Sequence, residues 1–311
     1  MQTTRHARSA AHWSPADIGD LTGRTALITG GNSGIGLETA HVLAGHGTRV
    51  ILAGRSQSRL DEAVADLRAD RPHARLDTLV LDLGSLASIA AATSRLAATE
   101  TIDLLFNNAG VMNVPERRTT TDGFELTVGT NHLGHFALTA GLLPALRRAE
   151  AARVVTVSAL AAKWRTGRLD DLMSEQRYGA MSAYAKSKRA NVLFTQELAR
   201  RLAGTTITAV VVHPGSAMTN LQRHSQGLMT RIVIALTRNI VMGSPEGAAW
   251  PSLYAATSHD VAGGGFYGPV ARDQTSGTPK SVALPRGADD PATAVRLWTE
   301  SERLTGIRFA I

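Results

Sequence analysis

The chain has 311 residues, of which 43% are hydrophobic, which is enough for one α/β domain with a large buried core. It contains no cysteine, so disulfides, thiolate metal sites and a cysteine nucleophile are excluded. The formal net charge is +7, but the arginines are scattered and not interleaved with aromatic residues. This distribution argues against a nucleic-acid partner, and attraction for an anionic cofactor explains part of the excess.

The first residues do not resemble a secretory signal. Residues 1–13 are basic and free of acidic residues, but they lack the apolar core of a secretory signal. We expect a flexible tail over residues 1–20, with an organelle transit peptide as the alternative. No stretch of 18 residues is continuously apolar, so we expect no membrane-spanning helix and a cytoplasmic protein.

Apolar, β-branched segments alternate with helical patterns along the chain. Strands are predicted at residues 24–29, 48–53, 76–81, 102–107, 153–158 and 206–212, with a seventh short strand at 265–267. Residues 35–44 and 58–68 have helical spacing, and residues 271–291 are expected to form a surface loop. The alternation predicts an α/β fold: a single domain, residues 21–311, with a doubly wound (Rossmann) parallel sheet and helices on both faces.

A glycine-rich segment connects the first predicted strand to a helix. Glycines at this position allow a tight turn and close approach of backbone amides to a dinucleotide pyrophosphate. The strand-turn-helix setting favours this function over a plain chain reversal. The expected cofactor contacts in the turn are Gly30, Asn32, Ser33, Gly34, Ile35 and Gly36.

The end of the second strand bears on the choice of cofactor. The sequence Ala53-Gly54-Arg55-Ser56 has no carboxylate to bond the ribose hydroxyls of NAD. Arg55 offers a planar donor group suited to a 2′-phosphate, which favours NADP(H) and leaves NAD(H) as the alternative. A solvated loop arginine is the simpler interpretation. After the third strand, Asp82 could accept a hydrogen bond from an adenine amine, or it could cap the next helix.

The segment around Tyr184 and Lys188 has the features of a catalytic helix. The spacing of four places both side chains on one face, and a neighbouring ammonium is expected to lower the pKa of the phenol. Ser158 ends a predicted strand, at the sheet edge where α/β sites form, and its hydroxyl could hold a substrate oxygen. Together with the glycine turn, these residues indicate hydride transfer between a nicotinamide and a carbonyl or alcohol.

Several motifs occur in the order found in one enzyme family. They are TGGNSGIG (29–36), LDL (81–83), NNAG (107–110), NHLGHF (131–136), VTVS (155–158), YAKSK (184–188) and HPG (213–215). With them, the chain resembles the short-chain dehydrogenase/reductase family over about residues 24–219. The resemblance implies nicotinamide-dependent redox chemistry in which Tyr184 is the acid/base.

The same resemblance implies roles for further residues. Lys188 would bind the nicotinamide ribose and tune Tyr184, Ser158 would orient the substrate, and Asn131 would support a water relay to Lys188. The remaining implied cofactor contacts are Leu83, Asn108, Ala109, Gly110, Pro214, Gly215 and Thr219.

Finer features resemble the retinol dehydrogenase and WW-domain oxidoreductase branch. These are the stretch at residues 184–202, the segment TNLQRH at 219–224, and the long step of 26 residues from Ser158 to Tyr184. Two departures matter. No basic residue occupies the turn at Asn32–Ser33, which weakens the preference for NADP, and the apolar N-terminal anchor of many animal retinol enzymes is missing.

Three histidines and one apolar segment are the remaining candidate functional features. His132 and His135 flank Asn131, and we expect helix packing rather than metal binding, since no HExxH pattern is present. We expect His213 to be a turn residue. Residues 220–245 are expected to form a substrate lid, with a membrane-surface helix or a subunit contact as alternatives.

The sequence therefore predicts an NADP(H)-preferring oxidoreductase for a small lipophilic carbonyl or alcohol. It predicts no metal and no stable membrane insertion, and it leaves homo-oligomerisation open. A cofactor-binding regulatory or scaffold protein is the alternative, although such a protein has no need for Tyr184 and Lys188 together.

Overall fold

The fold is an eight-stranded sheet between two layers of helices. In the computed structural model, the described residues are 13–164, 169–215, 245–271 and 274–311. The strands are β1 (Thr25–Thr29), β2 (Arg49–Gly54), β3 (Leu76–Val80), β4 (Leu104–Asn107), β5 (Ala152–Val157), β6 (Ile207–Val212), β7 (Phe266–Ala271) and β8 (Ser276–Ser281). Their order is β3-β2-β1-β4-β5-β6-β7-β8; β1 to β7 run parallel and β8 pairs antiparallel with β7.

Helices cover both faces of the sheet. They are α1 (Gly34–Gly45), α2 (Gln57–Asp70), α3 (Leu86–Thr99), α4 (Leu126–Val128), α5 (Gly134–Arg147), α6 (Ala180–Arg201), α7 (Pro245–Thr257) and α8 (Pro291–Thr305). A π-helical turn, Gly129–Leu133, joins α4 to α5. Local capping sets several helix starts: Ser56 begins α2, Ser85 begins α3 and Asp290 begins α8, each accepting a hydrogen bond from a free backbone N–H.

Alternate residues of the central strands supply two hydrophobic cores. Ala26 and Ile28 of β1 pack towards α1, α2 and α7, whereas Leu27 packs towards α3, α5, α6 and α8. Because both faces are covered, the strands are apolar throughout, as parallel sheets require. The strand order reverses between β1 and β4, and the carboxyl ends of these strands open a crevice where ligands bind in such sheets.

Two predictions need correction. Residues 276–281 form β8, although a surface loop was expected over residues 271–291. The segment SGTPKS carries glycine and proline, which are depleted in strands, and it is an edge strand held by β7, with Tyr267 opposite Ser281. The predicted tail also ends earlier than residue 20, because Trp13 packs edge-on against Tyr254 at 5.4 Å and Ile18 is buried.

Candidate active site

The glycine turn between β1 and α1 is shaped by contacts that exclude side chains. Gly30 and Gly34 have φ values of +66° and +56°, in the left-handed region that favours glycine. A Cβ on Gly36 would lie 2.4 Å from the carbonyl oxygen of Gly30. The turn therefore brings backbone close to the crevice, and the amino end of α1 faces it.

A cleft of about 1570 Å³ runs along this edge of the sheet. The predicted cofactor residues that line it are Gly30, Asn32, Ser33, Gly34, Ile35, Gly36, Arg55, Asp82, Leu83, Asn108, Ala109, Gly110, Tyr184, Lys188, Pro214 and Gly215. Thr219 and the predicted lid, residues 220–245, fall mainly in 216–244, outside the described residues. The sequence thus predicted residues that share one cleft although they are far apart along the chain.

Two arginines line the cleft beyond the glycine turn. Arg55 follows β2, and Arg59 lies in the first turn of α2; both are exposed. Arg59 is not among the predicted cofactor contacts, although it lies only four residues after Arg55. Across the cleft, Asp82 accepts a hydrogen bond from the N–H of Gly84 at 2.9 Å. The cap of α3 is Ser85, so Asp82 does not fill the capping role considered for it.

The catalytic candidates meet where β5 ends beside α6. The Ser158 hydroxyl donates to the backbone carbonyl of Lys188 at 2.7 Å, and the Lys188 ammonium donates to the carbonyl of Val157 at 2.9 Å. The ammonium lies 5.8 Å from the centre of the Tyr184 ring. A hydroxyl hydrogen can rotate about its C–O bond, so Ser158 can turn its donor towards a substrate oxygen without moving the oxygen.

Burial is the main cause of the pKa shifts of Tyr184 and Lys188. It raises the pKa of the Tyr184 phenol above its usual value and lowers the pKa of the Lys188 ammonium to about 8. The expectation that the ammonium would lower the pKa of Tyr184 is therefore wrong for this arrangement, because loss of hydration outweighs the charge at this distance. Tyr184 is protonated at neutral pH and can serve as a proton donor.

Asn131 lies behind the cleft wall, in the π-helical turn. Its Oδ1 accepts from the N–H of Val111 at 2.7 Å, and its Nδ2 donates to the Val111 carbonyl at 3.0 Å and to the Ser187 hydroxyl at 2.9 Å. A Cβ on Gly110 would lie 3.2 Å from Asn131 Oδ1, so the small residue allows this close packing. The amide thereby fixes the segment after Asn108 against α6.

The segment between β5 and α6 forms the other end of the cleft. Trp164 and Met181 line it and are 44% and 39% exposed, which is unusual for such large apolar side chains. Met112 and Leu160 line the same region. None of these residues belongs to a motif identified in the sequence, and Met181, in the first turn of α6, lies outside the stretch at residues 184–202 that carries the family resemblance.

In α6, Lys186 is buried and holds a turn of the preceding segment in place. Its ammonium donates to the Ser174 hydroxyl at 2.9 Å and to the carbonyl of Asp171. The Asp171 carboxylate in turn accepts from the N–H of Glu175 at 2.8 Å. Tyr178 donates to the Val114 carbonyl at 2.6 Å, which ties the segment to the loop after β4.

The candidate histidines are buried packing residues. His132 contacts the Ser301 hydroxyl at 2.9 Å, and burial lowers its pKa to about 3. Burial also lowers the pKa values of His135 and His213 to about 4. Among the described residues, no group of three or more His, Cys, Asp or Glu side chains could hold a metal ion. The described part of the chain also has no helix long and apolar enough to span a membrane.

The residues present fit a dinucleotide. The glycine turn lines the cleft at Gly30, Gly34 and Gly36, and the helix terminus there favours an anion. Asp82, Arg55 and Arg59 would hold the adenosine part of such a cofactor, and Lys188 and Tyr184 would hold the nicotinamide part; all five line the cleft. When bound, a nicotinamide would supply or accept the hydride, and the chain's own residues would orient the substrate and move the proton.

Comparisons with known proteins agree with this geometry. The sequence profile of short chain dehydrogenases matches residues 24–227. Retinol dehydrogenase 14 of Mus musculus is 40% identical over 94% of this chain and 88% of its own length. Polyprenol dehydrogenase of Mus musculus is 40% identical over 96% of this chain and 89% of its own length.

Solved structures extend the likeness to the fold. A protein from Mycobacterium paratuberculosis aligns with a TM-score of 0.77 and 39% identity, covering 97% of this chain and 100% of that one. The Pseudomonas aeruginosa RhlG/NADP complex aligns with a TM-score of 0.64 and 26% identity, covering 79% of this chain and 94% of that one. The chain therefore belongs to the short-chain dehydrogenase/reductase family, whose members are NAD(P)-dependent oxidoreductases of alcohol and carbonyl groups.

Proposed function

We propose that this chain is an NADP(H)-preferring oxidoreductase that interconverts a lipophilic carbonyl and its alcohol. One observation carries the proposal: a single cleft is lined by Arg55 after β2 and Arg59 in the first turn of α2, by a buried tyrosine and by exposed apolar side chains. The organisation as a single domain and the roles of Asn131, Ser158, Tyr184 and Lys188 are part of the same proposal.

The preference for NADP(H) is supported by charge at the ribose side of the cleft. Arg55 and Arg59 both line it, and no carboxylate occupies positions 53–56. A planar guanidinium suits a phosphate, whereas a carboxylate there would repel one. The structural relative from Pseudomonas aeruginosa is an NADP complex, which agrees with this choice.

The lipophilic substrate is supported by the lining of the opposite end. Trp164, Met181, Met112 and Leu160 present apolar surface next to Tyr184. The relatives named for retinol and polyprenol act on lipophilic alcohols, which agrees with an apolar substrate here. Tyr184, held protonated by burial, would donate to the carbonyl oxygen in reduction, and Ser158 would hold that oxygen.

The cofactor part is tested by Arg55→Ala, with the exposed Arg95 of α3 mutated to alanine as a matched control. An exposed charge-assisted contact is worth about 1.5 kcal/mol, so NADPH affinity should fall about tenfold while NADH affinity barely changes. Calorimetry with both cofactors measures the difference. Equal losses for the two cofactors would show that Arg55 does not recognise the 2′-phosphate.

The substrate part is tested with a series of alkyl ketones of increasing length. Each buried methylene adds up to about 0.8 kcal/mol, so kcat/KM should rise with chain length and then level off. Trp164→Asp should flatten the rise and leave NADPH affinity unchanged. A wild-type protein that prefers small charged carbonyls, or that turns over no carbonyl or alcohol at all, would refute the proposed function.

A further inference from the structure

His135 lies at the start of α5, wholly buried between two parts of the active site. Its Nδ1 is 2.9 Å from the backbone carbonyl oxygen of Asn131, and its Nε2 is 2.9 Å from the hydroxyl oxygen of Thr29. Thr29 is the last residue of β1, immediately before the glycine turn. One imidazole therefore contacts both the element that begins the cofactor turn and the catalytic asparagine.

The hydrogen-bonding groups at Thr29 and Asn131 determine which ring nitrogen carries the hydrogen. The Asn131 carbonyl can only accept, so Nδ1 must carry the hydrogen. Burial keeps the ring neutral, because it lowers the pKa of His135 to about 4. Nε2 is then an acceptor. The Thr29 hydroxyl, which also has the backbone carbonyl oxygen of Phe106 within reach at 3.0 Å, can donate to Nε2 by rotating about its C–O bond. The hydroxyl oxygen still accepts from the N–H groups of Asn108 at 2.9 Å and Ala109 at 3.0 Å.

The chain of contacts continues from Asn131 to the catalytic helix. Asn131 Nδ2 donates to the Ser187 hydroxyl at 2.9 Å, and that hydroxyl donates to the backbone carbonyl of Tyr184 at 2.8 Å. Each connection is of ordinary hydrogen-bond length, and Asn131 and Ser187 are wholly buried. A shift of the π-helical turn would therefore move the Tyr184 end of α6 relative to the cofactor turn.

We propose that His135 is a positioning residue that holds the cofactor turn and the catalytic residues at a fixed separation. It does so through the Asn131 carbonyl at one ring nitrogen and the Thr29 hydroxyl at the other. The imidazole does not line the cleft and takes no part in proton transfer to substrate. The inference rests on the proposed function, because its kinetic consequence requires hydride transfer from a cofactor in this cleft to a substrate at Tyr184.

The variant that tests the inference is His135→Phe, which keeps a ring of similar size and removes both hydrogen bonds. We call the two hydrogen bonds of His135, to Asn131 and to Thr29, the clamp. Its loss should lower kcat about tenfold and change the KM for NADPH less than threefold, because the glycine turn itself is intact. The matched control is His132→Phe, which alters another buried histidine, one that bonds Ser301 in α8. The kcat of His132→Phe should stay within threefold of wild type, even if its melting temperature falls as far as that of His135→Phe.

A double-mutant cycle separates the clamp from general loosening of the fold. Thr29→Val removes the hydroxyl from the other end of the clamp, so adding His135→Phe in that background should lower kcat less than threefold further. The same tenfold loss in both backgrounds, or an unchanged kcat for His135→Phe, would overturn the inference.

Nitrogen-15 NMR of the wild-type protein tests the hydrogen-bond geometry of His135. This experiment needs neither enzyme turnover nor a variant that folds. With 15N-labelled histidine at pH 7, His135 should show the neutral tautomer with hydrogen on Nδ1. Hydrogen on Nε2 would overturn the clamp. Because this measurement requires no turnover, it remains decisive if the carbonyl panel shows no reaction and the proposed function fails.

Discussion

The glycine turn and the wall opposite it serve one cleft but are built differently. The turn relies on backbone atoms: a Cβ on Gly36 would lie 2.4 Å from another backbone oxygen. The opposite wall relies on buried ionisable side chains, and burial shifts the pKa values of Tyr184 and Lys188 in opposite directions. The first is a shape fixed by local sequence, whereas the second depends on which elements pack around it.

This difference predicts how each part responds to change. Cofactor binding by the glycine turn should be sensitive to added side-chain volume and insensitive to pH. The catalytic wall should tolerate small changes of shape but respond to loss of a hydroxyl, to acid and to loss of the contacts that hold its loops. The expected effects below are ordered from the largest to the smallest.

Removing the phenol oxygen should produce the largest effect. Tyr184→Phe keeps the ring in the wall and deletes the proton donor, and general acid catalysis typically contributes about 10²–10⁴-fold. Turnover should fall by about that factor, while calorimetry should show wild-type affinity for NADPH. Tyr254→Phe is the matched control, since Tyr254 is a buried tyrosine of α7 that packs on Trp13. Wild-type turnover by Tyr184→Phe on a true substrate would remove the phenol from the mechanism.

Acid should destabilise the protein through its buried histidines. The pKa values of His132, His135 and His213 are lowered in the folded state to about 3, 4 and 4, from 6.5. The unfolded chain binds these protons first, so their stabilising effect is complete above pH 6.5 and is lost as the pH falls towards 4. Between pH 6.5 and 5.5 each histidine should cost roughly 1 kcal/mol of unfolding free energy.

Urea unfolding at several pH values measures this loss. Three histidines acting together should cost roughly 3 kcal/mol over that interval. His132→Phe should flatten the dependence by about one third, because the phenylalanine cannot bind a proton. A stability that is constant from pH 6.5 to 5.5 would mean that the folded and unfolded states take up protons equally, so that folding does not lower the pKa values of these histidines.

Added volume should damage the cofactor turn. Gly36→Ala forces backbone apart at the turn, and overpacking of this kind costs about 1–3 kcal/mol, which corresponds to roughly five- to 150-fold weaker NADPH binding. The loss should be the same at pH 6 and pH 8, because no ionisable group is involved. Gly263→Ala is the control, since the nearest atom to its added Cβ lies 3.8 Å away. Normal NADPH affinity in Gly36→Ala would mean that the turn can rearrange at little cost.

The same contrast explains what could be predicted from sequence. The glycine turn, the strands of the parallel sheet and the pair Tyr184 and Lys188 follow local patterns, and the family and the fold predicted from them are confirmed. The raised pKa of Tyr184 was missed because it depends on packing by distant segments. Likewise β8 exists through its pairing with β7, and its own residues do not favour a strand.

The segment before α6 and the first turns of α6 show most clearly what local sequence patterns do not predict. Trp164 and Met181 form the apolar end of the cleft, yet neither belongs to a motif. Lys186 lies between Tyr184 and Lys188 in sequence and would be expected to face solvent, but its ammonium is buried against residues 171–174. Long-range contacts of this type are not encoded in the spacing of neighbouring residues.

The smallest effect should follow from removing the Lys186 ammonium. Lys186 donates to the Ser174 hydroxyl and to the Asp171 carbonyl, and its charge lies 3.9 Å from an Asp171 carboxylate oxygen. Lys186→Met keeps the apolar stem and frees the turn that Asp171 closes, next to Tyr178 and its contact with Val114. Part of the lost contact energy should appear as a substrate KM about threefold higher, because charge-assisted hydrogen bonds are worth about 1.5–3 kcal/mol.

Comparing NADPH affinity with the substrate KM in Lys186→Met tests whether the glycine turn and the catalytic wall are independent parts of the cleft. NADPH affinity, measured by calorimetry, should be unchanged, since the glycine turn is fixed by its own backbone. Lys280→Met, on the edge strand β8, controls for the loss of one positive charge. If Lys186→Met weakened NADPH binding as much as it raised the substrate KM, the turn and the catalytic wall would respond as one unit, and the contrast between them would not extend to function.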